Sequence, residues 1–421
     1  MHSALQGAKF LGGIYANRIS TAYWSRVRGD LFSRLNSPSD RTDPYEIYEQ
    51  LRAMGPMVPT RLGNYSTTSH ALCNEVLRNR AFGVTPDDGS LDLVHQEGLD
   101  LSLLQVNPPD HTRLRRLAGP AFSPRRMAGY AVLVDEAIAR MLDAAARERE
   151  FDLMSAFASP LPIVVMTRLL GLPEEPEKLR RLGSTVARAL DGVWSLGQAR
   201  TLVAADAELR DLFDTQRSRR LAEPGDDLIS ALIAEEGESI SAGELGPLVR
   251  LLLLAGFETT VNAIGNGVRW LLADREQWEL LVADPSRAAA VAEEVLRFDP
   301  PVQQTARVAN GEISLGGVTV HRNQWVVTLL AAANRDPQAY ADPNRFDITR
   351  EQPVEHLAFS GGVHYCLGSS LARMELTSAF RALAERFPDL RQTAPLTMRP
   401  GTTLRGPLRL PVSVGTAVRV G

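Results

Sequence analysis

Between residues 110 and 298, apolar residues return every three or four positions, the spacing of helices that bury one face. The pattern predicts helices over 125–147, 155–170, 199–221 and 241–272, with a polar hinge at 173–176. Ser241 and Glu244, ahead of the last run, carry a capping-box signature. Nearer the start, Asp43-Pro44 caps a helix over 45–54 that stops at Gly55. Segments 57–62 and 65–68, joined by Gly63-Asn64, read as a hairpin, and 70–78 as a helix. The stretch 82–104 has no helical period and reads as a long loop, of the kind used as a lid. After Pro300-Pro301 the pattern changes to short strands at 305–309, 313–315, 318–320 and 325–329. A helix over 367–387 and a β-rich tail at 402–414 follow. No repeat or Gly/Ser linker divides the chain. The expected fold is mainly α with a smaller antiparallel β-sheet region, in one domain over 41–421 behind an N-terminal extension, 1–40.

With 421 residues, 44% of them hydrophobic, the chain can bury a large core without metal or disulfide staples. Lys+Arg number 46 against Asp+Glu 50, a net charge of -4, which speaks against a basic nucleic-acid-binding surface. Cys73 and Cys366 cannot build a disulfide framework, an all-cysteine zinc site or a four-cysteine iron–sulfur cluster. A reducing cytoplasm is the simplest location. Lys9 and Lys178 are the only lysines, which reflects compositional bias. No run reaches the roughly 20 apolar residues of a membrane span; the most apolar, 251–257, stops at Glu258. Residues 1–24 carry Lys9, Arg18 and the glycines at 12 and 13, and read as a docked or frayed helix rather than an export signal, with weak membrane-surface contact as the alternative.

Chemistry concentrates around Cys366, in Phe359-Ser360-Gly361-Gly362-Val363-His364-Tyr365-Cys366-Leu367-Gly368. Glycines there allow close backbone approach to a flat ligand, and a cysteine at a helix start is favoured as thiolate. Such a thiolate suits a single metal ligand or a nucleophile with His364 as base; a buried structural cysteine is the plainer reading. The pattern Phe359-x-x-Gly362-x-x-x-Cys366-x-Gly368 resembles the haem-binding loop of the cytochrome P-450 family, soluble bacterial type. The resemblance implies the cytochrome P-450 fold and haem b (iron protoporphyrin IX), with Cys366 as iron ligand and Phe359, Gly362 and Gly368 shaping its loop. Ser360 departs from the family, which often has glycine there.

Further motifs agree with it in order. Ala255-Gly256-Phe257-Glu258-Thr259-Thr260 buries an acid and two alcohols in an apolar helix, which is costly unless they are satisfied or used. Back-bonding of the threonines is one account. The resemblance implies another: Glu258 and Thr259 as the acid–alcohol pair that passes protons through water, with Ala255 beside the haem. Glu294 and Arg297, three apart on one helix face, resemble the family's structural Glu-x-x-Arg pair, with Arg345 as third partner. Glu293 has the spacing to serve Arg297 as well. His111, Arg115, Arg307 and His364 match positions that contact the haem propionates, anions that call for cationic donors.

The implied reaction is insertion of one oxygen atom from dioxygen into an organic molecule, by hydroxylation or epoxidation. No flavin or nicotinamide motif is present, so electrons are expected from separate partners, a ferredoxin and its reductase. Arg113, Arg116, Arg125 and Arg126 are candidates for a docking patch, or for a solvated charged face. Leu251, Leu254, Gln303 and Gln304 are candidates for the substrate pocket, with 82–104 and 172–196 as its lids; together they suggest a largely hydrophobic small molecule. A thiolate-haem peroxygenase, a non-catalytic haem protein and a cysteine-nucleophile hydrolase are the competing readings.

Overall fold

The structure is a computed structural model that describes residues 16, 18–37, 43–61, 63–86, 100–173 and 175–415. Its helices are α1 (Leu31–Leu35), α2 (Pro44–Ala53), α3 (His70–Arg78), α4 (Asp110–Ala118), α5 (Pro124–Ala145), α6 (Pro160–Leu170) and α7 (Pro176–Ala187). They continue with α8 (Leu196–Ala222), α9 (Leu228–Ala234), α10 (Ala242–Ala273), α11 (Arg275–Ala283), α12 (Ala288–Phe298), α13 (Leu330–Ala333) and α14 (Ser369–Arg386). Residues 18–26 are also helical.

Helix α10 is the axis of the molecule. Its 32 residues span about 48 Å at the helical rise. The Ser241 N–H donates to the Glu244 carboxylate at 2.9 Å, so the expected capping signature is used. Residues 245–254 are buried all round, the mark of a core helix. Among the described residues this is the one helix long and apolar enough to cross a membrane, and most of it lies inside the protein. Helices α6, α7, α12 and α14 pack around it. Gly256 is what admits α6: a Cβ there would lie 2.5 Å from the Met166 sulfur.

Beside the helices stands a five-stranded sheet in the order β1 (Val58–Pro59), β2 (Tyr65–Thr67), β8 (Trp325–Thr328), β5 (Thr305–Ala309) and β3 (Phe82–Gly83). Its pairings are antiparallel except β2 with β8. β6 (Ile313–Leu315) and β7 (Val318–Val320) form a hairpin. β4 (Glu150–Asp152), β9 (Arg391–Gln392) and β12 (Pro411–Ser413) form a small sheet, and β10 (Thr397–Met398) pairs with β11 (Pro407–Arg409).

Most of the expected elements are present, with three differences. The run 155–170 is broken into a wide turn, Met154–Ala158, and α6, because Pro160 lacks the N–H a continuous helix needs. The loop 82–104 begins with β3 and ends in a helical turn at Ser102–Leu104; residues 87–99 lie outside the described residues. The lid stretch 172–196 contains the whole of α7. The expected boundary at residue 40 also lies outside the described residues; on its N-terminal side Leu35 packs with Tyr45, Tyr48 and Leu51.

Candidate active site

Cys366 lies between a turn at Gly362–His364 and the start of α14. Its N–H donates to the Phe359 carbonyl at 2.9 Å, which closes the loop on itself. Burial pushes the thiol up, while the Gly368 N–H and the charges of Arg115 and Arg373 favour thiolate. The hydrolase reading fails here. His364 turns to His111, 4.2 Å between ring centroids, and cations rather than an imidazole act on the sulfur.

Two residues of the loop, Ser360 and Gly362, take left-handed backbone conformations. Gly362, with φ +64°, would put a Cβ 2.4 Å from the Leu77 carbonyl oxygen, so it serves close packing on α3. Ser360 takes φ 62°, a left-handed conformation that explains why glycine suits this position. Its hydroxyl accepts from Arg307 Nη2 at 3.2 Å, which partly offsets the strain.

Around this loop the fold gathers His111 and Arg115 from α4, Arg307 from β5 and His364. Arg307 is buried, donates to the Ala306 carbonyl and Thr305 hydroxyl, and has its pKa lowered to about 10 by burial alone. Desolvation, then Arg115 and Arg307, lower His111 to about 4; desolvation, then Arg307, His111 and Arg115, lower His364 to about 3. Among the described residues no carboxylate acts on any of the four. His111 Nδ1 is buried without a hydrogen-bond partner. Two guanidinium groups that no described carboxylate answers, Arg307 buried and Arg115 half-buried with only the Cys366 thiolate acting on it, are costly inside a protein, and the two imidazoles beside them stay neutral. The donor set fits a buried dianion lying over a thiolate, which is what haem propionates and iron require.

On α10, Ala255 is exposed although the residues just before it are buried. Thr259 Oγ1 donates to the Ala255 carbonyl at 2.6 Å. Leu251, one turn earlier, and Leu254, immediately before Ala255, are packed in the core. Glu258 does not bond to Thr259. One carboxylate oxygen accepts from Ser184 at 3.1 Å, and the other pairs with Arg399. Arg399 also reaches Asp191 at 3.4 Å. A cleft of about 470 Å³, lined by Arg181, Ser184, Thr185, Asn262 and Arg399, opens onto Glu258 from outside. Arg399 and Ser184 were not expected from the sequence, since they come from the far tail and a lid helix. Nor was Glu375 of α14, whose fully buried carboxyl is pushed up to about 8 and hydrogen-bonds to Thr260.

Glu294 and Arg297 form the expected pair, with two bonds of 2.7 Å in a fully buried setting. Arg297 also donates to the carbonyls of Asn334, Pro343 and Arg345. Arg345 contributes only that carbonyl; its side chain is exposed, and Arg350 is the third partner, its guanidinium 3.4 Å from Glu294. Glu293 instead binds Arg373, whose guanidinium lies 4.6 Å from the Phe359 ring centroid. Gln303 is corrected as well: it is buried, accepts from the Tyr48 hydroxyl and donates to the Pro300 carbonyl, so its amide is fully engaged. Gln304 donates to Asn36, while its Oε1 is buried without a hydrogen-bond partner and stays open to a donor. Half the docking patch is neutralised: Arg113 pairs with Glu244 at 2.5 Å and Arg126 with Asp226, leaving Arg116 and Arg125 exposed.

Comparison with known proteins agrees with this geometry. The family description Cytochrome P450 matches residues 288–406. The chain is 39% identical over 417 residues to cytochrome P450 140 of Mycobacterium tuberculosis, covering 93% of each. Among solved structures it resembles ligand-free CYP164A2 of Mycobacterium smegmatis, with TM-score 0.84 and 38% identity over 91% of this chain and 99% of that one. It also resembles P450BioI in complex with hexadec-9Z-enoic acid ligated acyl carrier protein, with TM-score 0.82 and 34% identity over 89% and 98%. Likeness at this level, running far past the cysteine loop into every helix that frames it, makes the chain a member of the cytochrome P450 family, the haem-dependent monooxygenases.

Proposed function

We propose that this P450 inserts one oxygen atom from dioxygen into a largely hydrophobic small molecule, by hydroxylation or epoxidation. Haem b is held through Cys366, and a separate ferredoxin with its reductase supplies electrons in the cytoplasm. The carrying observation is the pair Arg307, buried, and Arg115, half-buried, beside Cys366 with no carboxylate to answer them among the described residues. When bound, the haem supplies the dioxygen activation for which a thiolate ligand is suited.

The chain's own residues do the rest. Arg115, Arg307, His111 and His364 hold the two propionates. Arg115, Arg373 and the Gly368 N–H keep Cys366 Sγ deprotonated against its burial. Thr259 gives its hydroxyl proton to the Ala255 carbonyl, so its oxygen is left as an acceptor on the open face of α10. Glu258 receives protons from the cleft side and passes them inward when Arg399 releases it. The lipophilic acyl ligand of P450BioI supports an apolar substrate, and Gln303 is committed elsewhere, which leaves the unpartnered Gln304 Oε1 as the one amide acceptor of the two.

The test is the carbon-monoxide difference spectrum of the reduced protein. Wild type shows the red-shifted band of thiolate ligation, and Cys366→Ser loses it. A colourless protein, or an unchanged band in the variant, refutes the assignment. Turnover with dioxygen, ferredoxin and reductase then separates the monooxygenase from a peroxygenase, which works with peroxide alone.

A further inference from the structure

The helix at 18–26 sits on the body by its polar side. Thr21 and Ser25 are buried, and Arg61, from the turn between β1 and β2, donates to Ser20 Oγ at 2.7 Å and Thr21 Oγ1 at 2.9 Å. The apolar side faces out: Ile19 is 69% exposed, Tyr23 48% and Val27 69%. These three are four residues apart, so they form one stripe. In the sequence, Leu11 and Tyr15 continue the same spacing.

Arg18, Arg26 and Arg28 are exposed around the stripe. Arg28 lies over the Trp24 ring, 5.7 Å from its centroid. No Asp or Glu precedes Asp30, while Lys9 and these three arginines do, in a chain whose net charge is -4. An ordinary surface helix buries its apolar residues and mixes charge signs on the other side. Here an exposed hydrophobic stripe lies among exposed arginines that form no ion pair among the described residues.

We infer that this face docks on an anionic phospholipid bilayer. The stripe is one helix wide and convex, too small for a standard protein interface but suited to a fluid surface that moulds around it. The apolar side chains enter the headgroup boundary and the guanidinium groups meet lipid phosphates. Attachment of this kind is reversible and weakens with salt.

Flotation of the holoprotein with vesicles tests the proposal. One set is phosphatidylcholine alone; the other contains equal parts phosphatidylglycerol. Binding to the anionic set is expected to exceed the neutral set by about tenfold at low salt and to fall at high salt. I19S/V27S and, separately, R18Q/R26Q/R28Q each reduce it about tenfold, with haem spectrum and melting temperature unchanged. No binding to anionic vesicles, or undiminished binding of I19S/V27S, overturns the proposal. So does a lipid-free dimer in sedimentation velocity that I19S/V27S dissolves, because a second copy would then own the face.

Discussion

Arg307 carries its charge into a place where only 5% of the side chain meets solvent and no described carboxylate answers it. Unpaired charge of this kind weakens the apoprotein and is repaid when an anion binds. Arg307→Gln is therefore expected to leave the apoprotein as stable or up to roughly 2 kcal/mol more stable in urea. The same variant should lose haem about tenfold more readily to apomyoglobin. Glu258 and Arg399 illustrate the opposite case, a buried charge that is answered. Arg399→Gln leaves two carboxylates facing each other's position and is expected to cost about 3 kcal/mol. Glu258→Gln should cost less, since Arg399 keeps Asp191, and Asp191 itself accepts from the backbone N–H groups of Thr402, Thr403 and Leu404. Urea titration of both variants checks the order. The acid and the alcohol were legible in the sequence because polar residues stand out in an apolar helix. Their partners were not, because Ser184 and Arg399 are separated from Glu258 by 74 and 141 positions.

Helix α12 carries two adjacent acids with separate duties, and one of them, Glu293, ties it to α14. Glu294 holds Arg297, and Glu293 holds Arg373 and His356. Burial works to raise the Glu293 pKa, but bonds from His356 and Arg373 outweigh it and bring the group down to about 2. A carboxylate held below its unfolded value stabilises the fold above that value, and the contribution is lost as pH falls toward the folded value. Between pH 4.5, its ordinary value, and about 2, wild type should lose roughly 1–2 kcal/mol through this group, a figure reduced for its partial exposure. In Glu293→Gln the acid limb of the stability curve should be flatter over that window; an identical slope would assign the acid sensitivity elsewhere. The Glu-x-x-Arg spacing made one of these contacts readable, because residues three apart share a helix face. Arg345 was misread in the same motif. The loop after α12 returns so that a carbonyl, not the Arg345 side chain, meets Arg297, and the guanidinium arrives five residues later at Arg350.

For the whole molecule, the proposed ferredoxin dock is a question of surface charge. Arg113 and Arg126 are already paired, so charge reversal at Arg116 and Arg125 should slow reduction by ferredoxin about tenfold at low salt. Arg126→Glu should have a smaller effect, and stopped-flow reduction across ionic strength separates the two. The helical succession, the strands after Pro301 and the central apolar helix followed from periodicity, since a chain must bury its repeating apolar face wherever it folds. The Glu294–Arg297 pair also followed, because local order along the chain carries it, and Glu258 and Thr259 stood out as polar residues in an apolar helix without being bonded to each other. What tertiary structure alone decided is the meeting of distant groups. It turned His364 toward His111, engaged both amide atoms of Gln303, and closed Arg399 on Glu258. Side-chain periodicity reports which face is buried but not what lies opposite it, and electrostatics acts through space between groups that the sequence keeps far apart.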